Sequence, residues 1–402
     1  MDRRSFLRGG VATGAALALG SSFWHRVLAG PVAASPLQRP DANGLRLLPG
    51  FKSRVVARGY QPIGSTGYVW RQWPDGAATF PTGDGGWVLA QNSEVPLIGG
   101  VDVIRFSPAG EIVGAYPILA GTSLNCAGGA TPWGTWLSCE EWDGGLVWEC
   151  DPQAPGQGLP RRALGSFKHE AAAVDPTRGH VYLTEDQGDG CFYRFTPVAE
   201  GNLDAGLLEV LVLGPGGAVT WAPVPNPNPV SLPEQSRYFE PETPTRKQVP
   251  EAAHFDGGEG CFFFGDLVYF TTKGDSRVWV LDVAAQELRM LYDGNGVLRG
   301  VDNVVVSPAG TVLVAADGDD MQVCVVRADG TVAPFLQMTG DAHKGFDVPE
   351  ELQDNELGDT AAKPSEVTGL TFTPDGRRLY CSSQRGDRWG ITYEIRGPFR
   401  SA

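Results

Sequence analysis

The sequence predicts an all-β fold, a six-bladed β-propeller with five blades as the alternative count and loop insertions on one face. Three observations carry this. The 402 residues include 54 Gly and 31 Pro, which cut the chain into short segments, while 11 Trp, 18 Phe and 10 Tyr supply a core; together they read as many short strands joined by turns. No amphipathic pattern of period 3.6 persists over three turns beyond the opening segment. The third observation is a repeat. Each unit has an acid or amide residue, a short apolar run, a Ser-Pro-Ala-Gly or Asp-Pro-x-x-Gly turn, a second run, a Gly/Asp turn and a third run. Glu259 and Asn303 lie 44 residues apart, and Glu170 and Glu259 lie 89 apart. A period near 44 fits a four-stranded blade of roughly 40–50 residues. A β-sandwich with long loops would explain the strands but not the recurring acid.

In chain order, residues 1–34 read as a twin-arginine (Tat) export signal. Arg3 and Arg4 precede an apolar run at 11–19, and small residues near Ala33 and Ala34 offer a cleavage point. The run is too short to span a bilayer well. Residues 35–47 read as a linker, and 48–400 as a single propeller domain. Its units are a partial copy at 101–110, a divergent one at 133–149, and full copies beginning at Glu170, Glu259, Asp302 with Asn303, and Glu366. The segments 215–250 and 343–364 read as insertions.

The formal charge is −15, and residues 1–34 hold four Arg and one Asp, leaving about −18 for the remainder. So acidic a chain argues against nucleic acid and against anionic membrane surfaces. Seven Cys, an odd number, occur without any C-x-x-C, which argues against a zinc ribbon or a thioredoxin-type centre. Cys191, Cys261, Cys324 and Cys381 sit in apolar runs as small hydrophobes. Cys126 differs, because polar residues and glycines surround it and Glu140 and Glu141 follow one strand later. Thiolate suits a transition metal and carboxylate suits a hard cation, so a metal site would use both.

The innermost strand of a blade runs along the central channel, so the residue at its start stands at the channel mouth. Glu170, Glu259, Asn303 and Glu366 hold that place, and Glu140 and Glu141 are expected to join them. Carboxylates converging on one axis repel unless cations neutralise them. The bland alternative is solvent-facing turn acids; Glu185-Asp186 and Asp317 to Asp320, after the second runs of their blades, are as readily ordinary strand-end turns as site residues. His169 and His254 are as readily hydrogen-bonding neighbours as ligands. No nucleophile elbow, phosphate loop or dinucleotide fingerprint occurs.

At this point the motifs resemble a known family. N-C-A-G-G-A-T-P-W-G-T-W-L-S-C-E-E from Asn125, K-H-E-A-A-A-V-D-P with V-Y-L-T-E-D, V-D-N, and E-V-T-G-L-T-F-T-P-D-G resemble the PhoX-type alkaline phosphatases, over about 48–399. The resemblance implies a six-bladed propeller with an iron–calcium cluster, Fe3+ and Ca2+, at the channel mouth. Cys126 would then be an iron ligand, and Glu141, Glu170 and Glu259 ligands of iron or calcium. Glu140, Glu185, Asp302, Asn303 and Glu366 would complete the set. It implies hydrolysis of small phosphomonoesters by an oxo or hydroxo nucleophile on the metals, in an exported, periplasmic or secreted protein. Tat export would carry the folded chain through its translocon, and we expect a monomer without a membrane anchor. The chain departs from the family where an Arg is expected two residues before Glu259; it has Gly257. Arg237, Arg246, Lys273 and Arg299 are the candidate replacements. A non-catalytic metal-stabilised binding propeller and a calcium-dependent lactonase or esterase are the other functional readings.

Overall fold

The computed structural model describes residues 36–229, 241, 243–317, 320–344 and 365–399. The expected export signal, Arg237 and most of the expected acidic insertion lie outside the described residues. The chain is a six-bladed propeller: six antiparallel sheets, each wound outward from an inner strand in sequence order. The inner strands are Pro74–Pro81, Asn125–Ala130, His169–Val174, Gly258–Phe264, Val301–Val306 and Val367–Phe372, and we number blades one to six by them. They lack a two-residue polar alternation because both faces are covered, as in Val301–Val306 and His169–Val174, which are buried throughout.

Blade six is completed by the N-terminal strand Lys52–Arg58, which pairs antiparallel with Ile391–Arg396. The two ends of the domain therefore meet in one sheet and close the ring. Leu45–Leu47, expected in the linker, is a fifth strand on the outer edge of blade five, paired with Val332–Met338. Val219–Pro223, within the expected first insertion, is likewise the outermost strand of blade three.

One repeat unit is corrected. Residues 101–106 belong to the third strand of blade one, Gly99–Phe106, and not to its inner strand. The inner strand is Pro74–Pro81, whose terminal prolines argue against a strand in a sequence reading. The Ser-Pro-Ala-Gly turn at Ser107 thus joins third to fourth strand, while the identical turn at Ser307 joins first to second.

A single irregularity recurs in all six blades. Near its start each inner strand carries a bulge in which two residues oppose one: Asp75–Gly76, Cys126–Ala127, Glu170–Ala171, Glu259–Gly260, Asp302–Asn303 and Gly369–Leu370. A bulge breaks the strict alternation of a strand and re-aims one side chain. Polar side chains opposite the bulges tie blade to blade. Asn92 donates to the carbonyls of Cys126 and Ala127 at 2.8 Å, and Thr184 and Thr271 donate to those of Glu259 and Asp302 at 2.5 Å.

Candidate metal centre

The first bulge residue of each blade gives a ring around the channel mouth: Asp75, Cys126, Glu170, Glu259, Asp302 and, in blade six, Gly369. Glycine is required there. Its φ is +65°, and a Cβ would stand 2.7 Å from the Asp75 carbonyl oxygen; Glu366, just before this inner strand, supplies the missing carboxylate. A second ring comes from the residue that follows each second strand: Glu94, Glu141, Asp186, Lys273, Asp317 and Gln384.

Nine of these side chains form four interlocked groups, each with its ligand atoms within 4.8 Å of one another: Asp75–Glu94–Cys126, Cys126–Glu141–Glu170, Glu170–Glu259–Asp302 and Asp302–Asp317–Glu366. Cys126, Glu170 and Asp302 are each shared by two groups. The donors are eight carboxylates and one thiol, deeply set: Glu170 is 1% exposed and Asp75 and Glu259 are 2% exposed.

The electrostatics are unbalanced without a counter-ion. Burial, then the charges of Glu94, Asp302 and Glu366, push the Asp75 carboxyl well above its usual range. Glu170 rises through burial and its neighbours Glu259, Glu141, Asp302 and Asp75. Burial and the surrounding acids raise the Cys126 thiol likewise. Glu94 is raised to about 7, mainly by burial against the opposing pull of Arg385. Only Glu366 is held low, at about 2: burial would raise it, but Arg385 and Lys273 prevail. Buried carboxylate oxygens of Asp75, Glu170 and Glu259 have no hydrogen-bond partner among the described residues. Buried polar atoms are normally satisfied, and a ring of unsatisfied anionic donors fits bound cations.

The protein's own groups hold the ligands in place. Gln384 Nε2 donates to Asp75 Oδ2 at 2.5 Å and to Glu94 Oε2 at 2.6 Å. Asn303 Nδ2 donates to Asp302 Oδ1 at 2.8 Å while its Oδ1 accepts the Gly369 N–H at 2.7 Å. Arg385 pairs with Glu366, and its NH2 lies 4.0 Å from Glu94. Lys273 pairs with Asp317 and stands 3.6 Å from Glu259 and 4.0 Å from Glu366.

Cys126, Glu141, Glu170, Glu259, Asp302 and Glu366 are brought together as the sequence reading expected. Three expected ligands fall outside the four groups. Glu140 is the last residue of the second strand of blade two and points away from the channel, accepting the N–H groups of Ser123 and Leu146 at 3.0 and 3.2 Å. Glu185 ends the second strand of blade three and is taken by the Arg246 guanidinium, the Tyr193 hydroxyl and the Cys191 N–H. Asn303 orients Asp302. The sequence reading missed Asp75, Glu94, Gln384 and Arg385, and it left Asp186 and Asp317 open between strand-end turn acids and site residues. A positional signal finds Glu94, Asp186, Asp317 and Gln384, each the residue immediately after a second strand; Asp75 sits instead at the inner-strand bulge of blade one, and Arg385 follows Gln384.

Of the other histidines and thiols, His169 is buried with its pKa lowered to about 3 by burial, against Phe167 at 3.7 Å between ring centroids. His254 Nδ1 donates to the Asp189 carbonyl at 2.7 Å. Cys191, Cys261, Cys324 and Cys381 are buried and unpaired.

Gly257 sits at φ +71°, and a Cβ there would lie 3.0 Å from Asp186 Oδ1, so this backbone disfavours any larger residue. Of the four candidate replacements for the missing Arg, Lys273 alone is shown at the ring. Arg246 is buried against Glu185 and Asp189. Arg299 stands two residues before the inner strand of blade five, lining a cavity with Asp317 but making no ion pair with a ring carboxylate among the described residues, and Arg237 is not one of those residues.

A buried ring of eight carboxylates and one thiol at the mouth of a six-bladed propeller is a donor set suited to metal cations. The chain belongs to the alkaline phosphatase PhoX family, whose sequence pattern matches residues 89–145, 142–289 and 282–387. It is similar in structure to Pseudomonas fluorescens PhoX, solved in complex with vanadate, a transition state analogue. The TM-score is 0.68 at 16% identity, over 91% of this chain and 98% of that one. It is similar also to a gluconolactonase from Xanthomonas campestris, with TM-score 0.51 and 13% identity over 92% and 99% of the two chains. At these identities the likenesses speak for the fold. No curated protein sequence matches it significantly. Among the described residues no helix is long and apolar enough to cross a membrane.

Proposed function

We propose that this chain is an exported phosphomonoesterase whose iron and calcium ions are held by Asp75, Glu94, Cys126, Glu141, Glu170, Glu259, Asp302, Asp317 and Glu366. The observation that carries this reading is the four interlocked donor groups with orphaned buried oxygens. The donors divide by chemistry. Cys126 enters the two groups of blades one to three, where a thiolate favours a transition metal such as ferric iron. The two groups of blades three to six are all oxygen, as calcium prefers. A calcium-only lactonase centre has no use for that thiol.

Cations bound there would polarise the phosphoryl oxygens and offset charge developing in the transition state. The chain supplies the rest. The two rings fix the donors on strand ends, which are rigid supports for a site. Gln384 and Asn303 orient Asp75, Glu94 and Asp302, and such supporting hydrogen bonds tune a metal site about 10- to 100-fold. Arg385 keeps Glu366 ionised and ready to bind. The family membership agrees with export, and residues 1–34 carry the Tat-like signal; natural substrates would be small phosphomonoesters.

The test is metal analysis of protein purified after export, with p-nitrophenyl phosphate turnover. Iron together with calcium, and turnover abolished in Cys126→Ala, is the expected result. Calcium alone without turnover would replace this reading with a non-catalytic binding propeller.

A further inference from the structure

We propose that Lys273 is the cation that grips the substrate phosphate here, doing from the second ring what an arginine at position 257 would otherwise do. The inference rests on the phosphatase reading above and deepens it.

The two positions share one launching point. The Lys273 N–H donates to the Gly257 carbonyl at 2.8 Å, and Lys273 Cβ lies 3.7 Å from where a Cβ on Gly257 would stand. A side chain from either position starts from the same place beside Glu259. Lys273 is also the one cation in the second ring, whose other places hold Glu94, Glu141, Asp186, Asp317 and Gln384. Its ammonium reaches three blades' carboxylates, those of Glu259, Asp317 and Glu366.

Exposure separates it from the other cation of the centre. The Lys273 side chain is 37% exposed, that of Arg385 only 11%. Arg385 is committed to Glu366, with its guanidinium carbon 5.8 Å from the centre of the Trp73 ring. Lys273 can therefore meet a solute at the mouth, while Arg385 is largely covered. Without bound cations the Lys273 ammonium is balanced by Asp317, Glu259 and Glu366. When metal cations bind the same carboxylates, they take over the negative charge that now balances Lys273. Its charge is then free for an anion at the rim. An ammonium is a point charge and cannot make the paired hydrogen bonds of a guanidinium, so the grip should be looser than an arginine's.

The test uses the full metal-loaded chain and its Lys273→Gln and Lys273→Arg variants. Cation content, thermal unfolding, binding of inorganic phosphate, and kcat and KM for p-nitrophenyl phosphate are measured for each. Losing one charged hydrogen bond predicts that Lys273→Gln weakens phosphate binding roughly 10- to 100-fold, raises KM, and leaves cation content and unfolding temperature unchanged. Lys273→Arg should recover most of the affinity. Phosphate affinity unaltered in Lys273→Gln overturns the proposal. So does a gain of one cation per chain in that variant, which would mean that Lys273 stands in a metal position. Wild-type protein that holds its cations yet neither binds nor hydrolyses a phosphate would instead sink the phosphatase reading itself.

Discussion

Glu140 and Glu141 are neighbours with different work. Glu140 ends a strand and accepts two backbone N–H groups, while Glu141 turns into the channel beside Cys126 and Glu170. Glu185 and Asp186 divide in the same way one blade on, with Glu185 locked to Arg246. The adjacency was plain in the sequence, but which carboxylate faces the axis depends on where the strand ends, and strand ends are the least legible feature of a sequence. Substitution separates the roles. Glu141→Gln should lose about one cation per chain and lower turnover by about 100-fold or more, since metal ligands supply most of the transition-state charge stabilisation. Glu140→Gln should keep its cations and turnover and lower stability by about 1–2 kcal/mol through one imperfect backbone contact. Metal analysis and thermal unfolding of the two variants check this; loss of cations from Glu140→Gln would contradict the assignment.

At the scale of the strand, the recurrent bulge makes the site. It aims one residue of each inner strand at the axis and brings neighbouring blades close through small residues. A Cβ on Gly260 would stand 2.6 Å from the Val304 N and 2.8 Å from the Asp302 carbonyl oxygen; one on Gly76 would be 2.5 Å from Ala127 Cα. Gly260→Ala should therefore force blades four and five apart, with a cost of about 1–3 kcal/mol from overpacking. It should weaken the Glu170–Glu259–Asp302 group specifically, which a calcium titration of the variant against wild type will show. The repeat was legible in blades three to six because their acids sit beside strongly apolar runs, as in Glu170 with Ala171 to Val174. Blade one was not: Pro74 and Pro81 bracket its inner strand, and its Ser-Pro-Ala-Gly turn occurs two strands late. Asp75 and Glu94 were lost with it.

Over the whole molecule, closure and charge act together. The ring is sealed by Lys52–Arg58 against Ile391–Arg396, and its hub gathers eight carboxylates around two cationic side chains. The fold class and the acidic hub were readable from period and composition, whereas the number of acids and their cationic partners needed the three-dimensional ring. Cations that bind only the folded ring stabilise it by mass action, about 4 kcal/mol at a thousandfold excess over Kd. Chelation should thus lower the unfolding temperature by several degrees or more, with calcium restoring part of the loss. An unfolding temperature indifferent to chelator would count against a loaded hub.

The four donor groups also map onto the joints of the ring. Asp75–Glu94–Cys126 spans blades one and two, Cys126–Glu141–Glu170 two and three, Glu170–Glu259–Asp302 three to five, and Asp302–Asp317–Glu366 five and six. Among the described residues the joint between six and one has no such group. It is fastened by Gln384 on Asp75 and Glu94, and by the Thr368 hydroxyl on the Pro74 carbonyl at 2.8 Å. Cations held by these groups would rivet five joints, while the sixth is laced by the protein's own amides and hydroxyls. That seam opens without parting the ligands of any one group, so amide exchange along it should respond less to chelators than exchange at the other joints.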